Sequence, residues 1–514
     1  MLGLQETDNL SPRRQDFGNK KHGAEIFEFR DEVLLMVNSI GLQKNIRPFT
    51  AVIGNNGFGR LVMYTDANKI TRANIVDELA SALSVHQENM NAIAYLDRYY
   101  RGDQPILYRK KEVRSDINNK TVENHALEIV DSKVADLYGE PVQYVLADAE
   151  DEQKAEQMKT LNRYMKSEDK AALDIERGRW ASICGTSYYY IGRENRMPKE
   201  FDEAPFYISV ENPLDTFVVY YADDHTPAFS CQIRNSNQGK VYNIYTDKEY
   251  FIIRSGEVIA TDINGNNMIP VIEYPNNERR LSDIEITITM TDELNKMQSD
   301  RMNGIEQFIQ AFMLFKNCKI DSKTFKELAF NGALSVADSA EGRNADVKMM
   351  TAELSQDGTQ ISKDDVYNSL LIVQGMPGRQ ENSGGDTGQA VALRNGYYAE
   401  DKRAELRIPI FQRSERMMLR VVLNKLRIKN NFSLRISDID IRPKRSKLEN
   451  MLVKAEVLQI LHNIGIDDSI AIKTINLFAD VQDTVMKSKD RMEEQFKATN
   501  GMNEVVEDNG DATV

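Results

Sequence analysis

Cysteine is scarce: Cys184, Cys231 and Cys318 are the only three in 514 residues, widely spaced and with no CxxC pair. A disulfide framework or a thiolate zinc site is therefore excluded, and a reducing interior is expected. No run of about 18 apolar residues occurs, so no segment reads as a membrane-spanning helix. The opening MLGLQETDNLSPRRQDFGNKK has no apolar core of the kind a secretory signal needs. Catalytic signatures are missing as well. There is no GxxxxGK[ST] phosphate loop, no HExxH and no GxSxG, and the five histidines (His22, His86, His125, His225, His462) stand isolated. Ser383 lies in NSGG without an identifiable base. The acidic pairs Asp223-Asp224 and Asp364-Asp365 could hold a divalent ion but read as a solvated turn and a helix start. The expectation is a protein that is not an enzyme and needs no cofactor or metal.

What is present is a chain of ordinary globular composition, 41% hydrophobic and 28% charged, long enough for several domains or one elongated one. Its formal charge is −14, which argues against gripping nucleic acid over the whole surface. The charge is uneven. Residues 401–449 hold 14 basic and 6 acidic side chains, net +8, which leaves −22 for the remainder. The stretch could face DNA, another subunit or acidic neighbours within the chain. The tail after Ala498 is acidic, with little to bury, and is expected to be disordered.

Along the chain, residues 1–20 read as a polar arm. AVIGNNGFGRLVMY carries an Asn56-Gly57 hairpin signal, and its GNNGFG is followed by a strand rather than a helix, against a dinucleotide site. Helices are predicted from Asn74 to Tyr95, over NHALEIVDSKVADLY with Leu127, Val130, Val134 and Leu137 on one face, and from Ala149 to Arg177. Between Cys184 and Tyr274, TSYYYIG, FYISVE, TFVVYY, AFSCQIR, VYNIYT, EYFIIR and EVIAT predict a mostly antiparallel sheet region. Their aromatics read as core and cross-strand pairs rather than base-stacking platforms. Ser282–Glu285 (SDIE) fits a capping box opening one long helix to Lys316, with Leu294, Met297, Ile305, Phe308, Ile309, Phe312 and Met313 at helical spacing. A strand is predicted at Val347–Thr351. Ser362-Lys363-Asp364-Asp365 is read as capping a second helix through Met376. A glycine-rich stretch follows, then a third helix from Gln389 to Leu426, kinked or broken at Pro409. FSLRISDIDIRP reads as a returning strand, and Ser446–Glu449 as another capping box.

Several strings in this order resemble the portal proteins of tailed bacteriophages, in the branch found in many long-tailed phages. They are YYRGDQPIL (99–107), VDSKVADLYGEPVQY (130–144), IPVIEYPNNERRLSDIE (269–285), LNKMQSDRMNGIEQFIQAF (294–312), SGGDTGQAVALR (383–394) and KLENMLVKAEVLQILHNIGI (447–466). The resemblance covers roughly residues 90–495.

It implies an α+β, elongated subunit with a β-rich wing, a long helical stem, a small α/β clip and a helical crown. The implied division is an N-terminal arm and added wing element (1–90), wing (91–281), stem helix (282–316), clip (317–356), second stem helix (357–376) and tunnel loop (377–388). A long kinked helix with a returning wing strand (389–445), crown (446–496) and acidic tail (497–514) complete it. It implies a ring of about twelve chains at a capsid vertex, through which double-stranded DNA is packaged and ejected. The implied partners are the terminase large subunit, a head-completion or adaptor protein, and the major capsid and scaffolding proteins. The setting would be the virion, with host cytoplasm during assembly and no membrane.

For the loop, the resemblance gives physical content to the sequence. Gly378, Gly384, Gly385 and Gly388 supply backbone freedom. Arg379, Gln380, Asn382, Ser383 and Thr387 would make weak, sequence-blind phosphate contacts, and with Glu381 and Asp386 the segment is net −1. Met297, Ile305, Phe308, Phe312 and Met313 would pack on Leu370, Leu371 and Val373 and on the adjacent subunit. The rival readings are a monomeric interaction adaptor or scaffold, which shares the helical pattern, and a metal-dependent nuclease, which lacks ligand spacing.

Overall fold

Alternating apolar and aromatic residues in the middle of the chain, and helical periodicity on either side, set two kinds of layer that pack on each other. A computed structural model describes residues 59–112, 115–147, 151–193, 203–309, 312–316, 346–350, 356–377, 397–444, 451–475 and 488. In chain order, strand β1 (Met63–Thr65) leads to helix α1 (Ile75–Tyr100), a 3-10 turn (Pro105–Tyr108), α2 (His125–Tyr138) and β2 (Gln143–Leu146). Helices α3 (Glu152–Ser167) and α4 (Lys170–Cys184) follow. The β-rich stretch comprises β3 (Thr186–Gly192), β4 (Tyr207–Glu211), β5 (Thr216–Tyr221), β6 (Pro227–Ser236), β7 (Gly239–Tyr245), β8 (Glu249–Arg254), β9 (Glu257–Ile263) and β10 (Val271–Pro275). A 3-10 turn (Glu285–Thr287) opens α5 (Ile288–Ile309). After it come β11 (Phe312–Lys316), β12 (Asp346–Met350), α6 (Gln356–Gln374), α7 (Tyr397–Asn430), β13 (Ile439–Arg442), α8 (Met451–Asn463) and α9 (Asp468–Ile475).

A six-stranded sheet runs β1-β5-β6-β7-β8-β9, antiparallel except for the parallel β1–β5 pair. Helix α1 lies on it: Ile75, Leu79 and Leu83 pack with Phe217, Phe229 and Phe251, three phenylalanines with no exposed surface. Each such ring contributes roughly 1.5–3 kcal/mol by leaving water. The aromatics of this region are core and cross-strand pairs. Tyr245 and Tyr250, directly opposite in register, stack with centroids 4.7 Å apart. The second sheet, β10-β3-β4, packs with α3, α7 and the β13–β2 pair in a separate core that includes Leu161, Tyr189, Met418, Leu419, Val422 and Leu426.

Five expectations need correction. The region 149–177 is two helices rather than one, separated at Asp169 in the left-handed conformation (φ 51°). In α2 the buried residues are Ala126, Ile129, Val130, Lys133 and Val134, while Leu127 is 42% exposed, because the face turned inward holds a lysine that has a partner inside. The long helix expected to Lys316 ends at Ile309, and Phe312 and Met313 belong to β11, opposite Met350 and Met349. The short apolar run beyond Ile309 found a partner strand, which a local reading could not supply. Helix α6 starts at Gln356, so Ser362 is interior and its hydroxyl donates back to the Gly358 carbonyl at 3.0 Å. Helix α7 runs from Tyr397 to Asn430 with Pro409 inside it, so of the kink or break expected there the break does not occur.

The Asn56-Gly57 hairpin, residues 317–345, the Ser446 capping box and the tail lie outside the described residues. So do the loop residues Gly378, Arg379, Gln380, Asn382, Ser383, Gly384, Gly385, Thr387 and Gly388. Among the described residues, no helix is long and apolar enough to cross a membrane.

Candidate functional site

Helices α5 and α6 run against each other, and the apolar part of their contact is small. Leu370 and Leu371 are buried with Leu294, Met376 and Ile129, flanked by Met290, Val366 and Tyr367. Leu294, rather than Met297 or Ile305, is thus the α5 residue that meets Leu370 and Leu371. Met297 and Ile305 are half-buried, Val373 is 38% exposed, and the side chain of Phe308 lies outside those described. The rest of the α5 face turned inward is polar. Asn295 and Ser299 are fully buried and Asn303 nearly so. They receive the irregular segment before α2. Glu123 N donates to Asn295 Oδ1 at 2.7 Å, Thr121 N to Ser299 Oγ at 2.9 Å and Asn119 N to Asn303 Oδ1 at 2.7 Å. A segment with no strand partner must have its amides satisfied somewhere, and a polar helical stripe at four-residue spacing does so.

The SDIE box forms as read. Glu285 accepts from Ser282 N at 2.8 Å, and Ser282 Oγ accepts from Ile284 N at 3.0 Å, though the first turn is 3-10. Its Asp283 proves to be a hub. Ser182 Oγ donates to its carboxylate at 2.7 Å, Arg407 pairs with both its oxygens, and its carbonyl accepts from Gln374 Nε2 at 2.7 Å. Burial works against the charge on Asp283, but Arg407 and Lys133 outweigh it and hold the carboxyl below its usual range.

Gln374 closes α6. Met376 N donates to Leu371 O at 2.9 Å and Gly375 N to Ile372 O at 3.0 Å, with Gly375 left-handed at φ 65°, the Schellman ending. The remaining carbonyls are taken by cations: Arg403 of α7 donates to Ile372 O and Val373 O, and Lys133 of α2 to Gln374 O. A Cβ at Gly375 would lie 2.6 Å from Arg403 Cδ, so glycine is needed for the approach as well as the backbone angle. The chain thus leaves α6 just before Pro377 from a fully capped end, and α7 is tied to the same end through Arg403 and Arg407, one turn apart.

Further along, α7 is fastened to the sheets by a buried charged network. Glu415, with no exposed side chain, pairs with Lys170 at 3.1 Å and accepts from Tyr274 Oη at 2.7 Å and from Tyr144. Lys170 also reaches Asp174 at 2.7 Å, and the buried Arg177 sits 4.2 Å over the Tyr274 ring and 5.3 Å over Phe411. At the other end of the helix pair, His125 lies between Glu128 (2.9 Å) and Glu123 (3.4 Å) and against Tyr367 of α6. Burial alone would lower its pKa, but the two carboxylates raise it to about 9. Lys363 of α6 joins Glu123 at 2.5 Å and Gln298 at 3.0 Å.

Among the described residues no group of three or more His, Cys, Asp or Glu is placed to hold a metal ion. Asp224 is a turn residue accepting from Thr226 N and Oγ1, and Asp364 accepts from Gln360. Sequence reasoning placed Leu370 and Leu371 in packing. It missed Lys133, Asp283, Gln374, Arg403 and Arg407. The basic surplus of 401–449 was the available signal, but pairs separated by 124 or 241 positions leave no local pattern.

The family model described as "Phage portal protein, SPP1 Gp6-like" matches residues 81–501. The chain belongs to that family of portal proteins. A portal is a structural component of a phage particle. No curated protein matches the portal chain. Among solved structures it is similar to a chain of the virion of a native gene transfer agent particle (13% identity, TM-score 0.41, 75% of this chain and 93% of that one). It is also similar to chains from the neck of the empty particle computed with C6 symmetry (11%, 0.43, 69% and 90%) and of the native particle computed with C12 symmetry (13%, 0.40, 69% and 89%).

Proposed function

We propose that this portal chain forms a ring of about twelve copies at one capsid vertex, through which double-stranded DNA is packaged and later ejected. In this reading residues 317–356 dock the terminase large subunit and then a head-completion protein, with capsid and scaffolding proteins around the ring. Residues 377–388 are the loop that meets the DNA. Arg379, Gln380, Asn382, Ser383 and Thr387 touch passing phosphates weakly, while Gly378, Gly384, Gly385 and Gly388 let the loop yield.

The observation that supports this best is the capped and tied base of that segment. Where a loop must move against a translocating polymer, its root has to stay fixed. Leu371 to Gln374 have every carbonyl satisfied, and Arg403 and Arg407 pin α7 to the same point. The test begins with native mass spectrometry and negative-stain imaging of the tag-free chain, with and without scaffolding protein. A closed ring with a central hole is expected, and a monomer at every concentration and with scaffold overturns the reading in favour of an adaptor. Deleting residues 379–386 is expected to leave rings intact and to impair DNA packaging or retention; normal packaging removes the loop assignment.

A further inference from the structure

The basic surplus of residues 401–449 divides into two sets. Arg403 and Arg407 are spent on internal ties, and Arg442 pairs with Asp440 at 2.9 Å. The second half of α7 is different. Arg413, Arg416, Arg420 and Arg427 are exposed and recur at spacings of 3, 4 and 7 residues. At about 100° per residue these positions fall within roughly one quarter of the helix circumference. They form a straight cationic ridge about 21 Å long. Arg413, Arg416 and Arg420 have no hydrogen bond or ion pair with any described residue, and Arg427 donates only to the Leu434 carbonyl at 3.0 Å. From Leu406 to Asn430 the single acid is Glu415, which is buried and already paired with Lys170. The ridge runs into a groove whose polar lining is Arg420, Asn424, Arg427, Ser433, Arg435 and Ser437 over an apolar floor of Met268, Leu423 and Ile436; Asn424 donates to the Asn266 carbonyl and Ser433 to Gln157. Beside it, Lys425 Nζ is buried with no hydrogen-bond partner among the described residues, and burial together with Arg193 and Lys429 lowers its pKa to about 7, so the exposed arginines carry the charge of this surface.

We propose that this ridge and groove bind the phosphodiester backbone of double-stranded DNA without sequence preference, as a second DNA contact away from the loop at 377–388. The proposal rests on the reading that this chain handles DNA. Arginine suits the task because its planar fork pairs two phosphate oxygens at once. A 21 Å row spans about six phosphates of one strand at ~3.4 Å of axis each. The ridge itself does not have the make-up of a protein interface, which has an apolar centre. Between Arg407 and Asn430, Ile428 is the one exposed large apolar side chain, whereas α6 and the start of α7 expose Ile361, Ile372 and Leu406.

The experiment measures binding of the full chain to a fluorescein-labelled 30-base-pair duplex of arbitrary sequence, by anisotropy, across a series of KCl concentrations. Four proteins are compared only after circular dichroism shows the wild-type fold. They are the wild type, R413Q/R416Q/R420Q/R427Q, R435Q, and a charge-matched control, K69Q/R72Q/K159Q/K248Q, in which exposed cations elsewhere are neutralised. The ridge variant is expected to lower the slope of log affinity against log salt by about 3 to 4, one contact being worth about 0.9. R435Q is expected to lower it by about 1, and the control to leave it nearly unchanged. No wild-type binding at low salt, or equal slopes for ridge and control variants, overturns the proposal. So does an unchanged slope with loss of rings on native mass spectrometry, which would assign the ridge to an acidic face of a neighbouring copy. Wild type that makes no ring while the ridge variant loses slope would fail the portal reading and leave this inference standing.

Discussion

At the residue scale, the side chains that organise this protein are charged groups taken out of water and repaid by geometry. Glu415 is the plainest case, with Lys170 on one oxygen and two tyrosine hydroxyls around it. Removing one partner of a buried pair leaves the other charge unmet. Lys170 keeps Asp174, however, so Glu415→Ala is expected to destabilise the chain in urea unfolding mainly by leaving the buried Tyr144 and Tyr274 hydroxyls without an acceptor, about 1–3 kcal/mol for each. His125 behaves in the opposite sense from a usual buried histidine. Its pKa of about 9 lies above the unfolded value, so its contribution is complete below about 6.5 and is lost as pH rises through about 9. An NMR titration is expected to show the imidazole still protonated at pH 8, and denaturant midpoints are expected to fall between pH 7 and 10 more in the wild type than in His125→Gln.

At the scale of elements, α5 shows how a helix can be held without a broad apolar stripe. Its buried row of Asn295, Ser299 and Asn303 satisfies the amides of an irregular segment, and Lys363 of α6 completes the tie through Glu123. Asn303→Leu keeps the volume and removes the acceptor for Asn119 N. Amide exchange at Asn119 is expected to lose protection, and stability to fall by about 1–3 kcal/mol, the cost of an unmet buried donor. The same row explains why a search for helical periodicity read this helix only in part. Counting apolar residues found Leu294 but passed over the polar positions, because nothing local says that an asparagine faces inward. Strands were more legible. TSYYYIG, TFVVYY and EYFIIR coincide with β3, β5 and β8, since pleated alternation is a local property. The extent of α5 was not legible, because the short apolar run that includes Phe312 and Met313 suits a helix or a strand and only β12 decides between them.

For the whole molecule, the proposed ring predicts that exposed apolar residues beside the Arg403 tie make contacts between copies. Ile372 and Leu406, 72% and 75% exposed, flank the Arg403 tie in sequence on α6 and α7. A double Ile372→Asp, Leu406→Asp variant is expected to fold, because neither side chain is in the core. It is also expected to abolish ring closure, read as monomers by native mass spectrometry where the wild type gives rings. Rings in the double variant would move the interface elsewhere.

The sequence by itself determined the absence of catalytic signatures, the strands between Thr186 and Pro275, the order of helices, the SDIE cap and the membership that the family match then showed. These are properties of composition, short-range periodicity and motif order, and they need no knowledge of what packs on what. Only the tertiary structure decided which cations are internal and which are free. Arg403 and Arg407 sit ten or so residues from Arg413 and Arg416 with the same charge and the same helical propensity. What separates them is whether a carbonyl or carboxylate from a distant part of the chain lies within hydrogen-bond reach. That distance is fixed by how α6, α7 and the Asp283 turn pack together, and no window of sequence contains it.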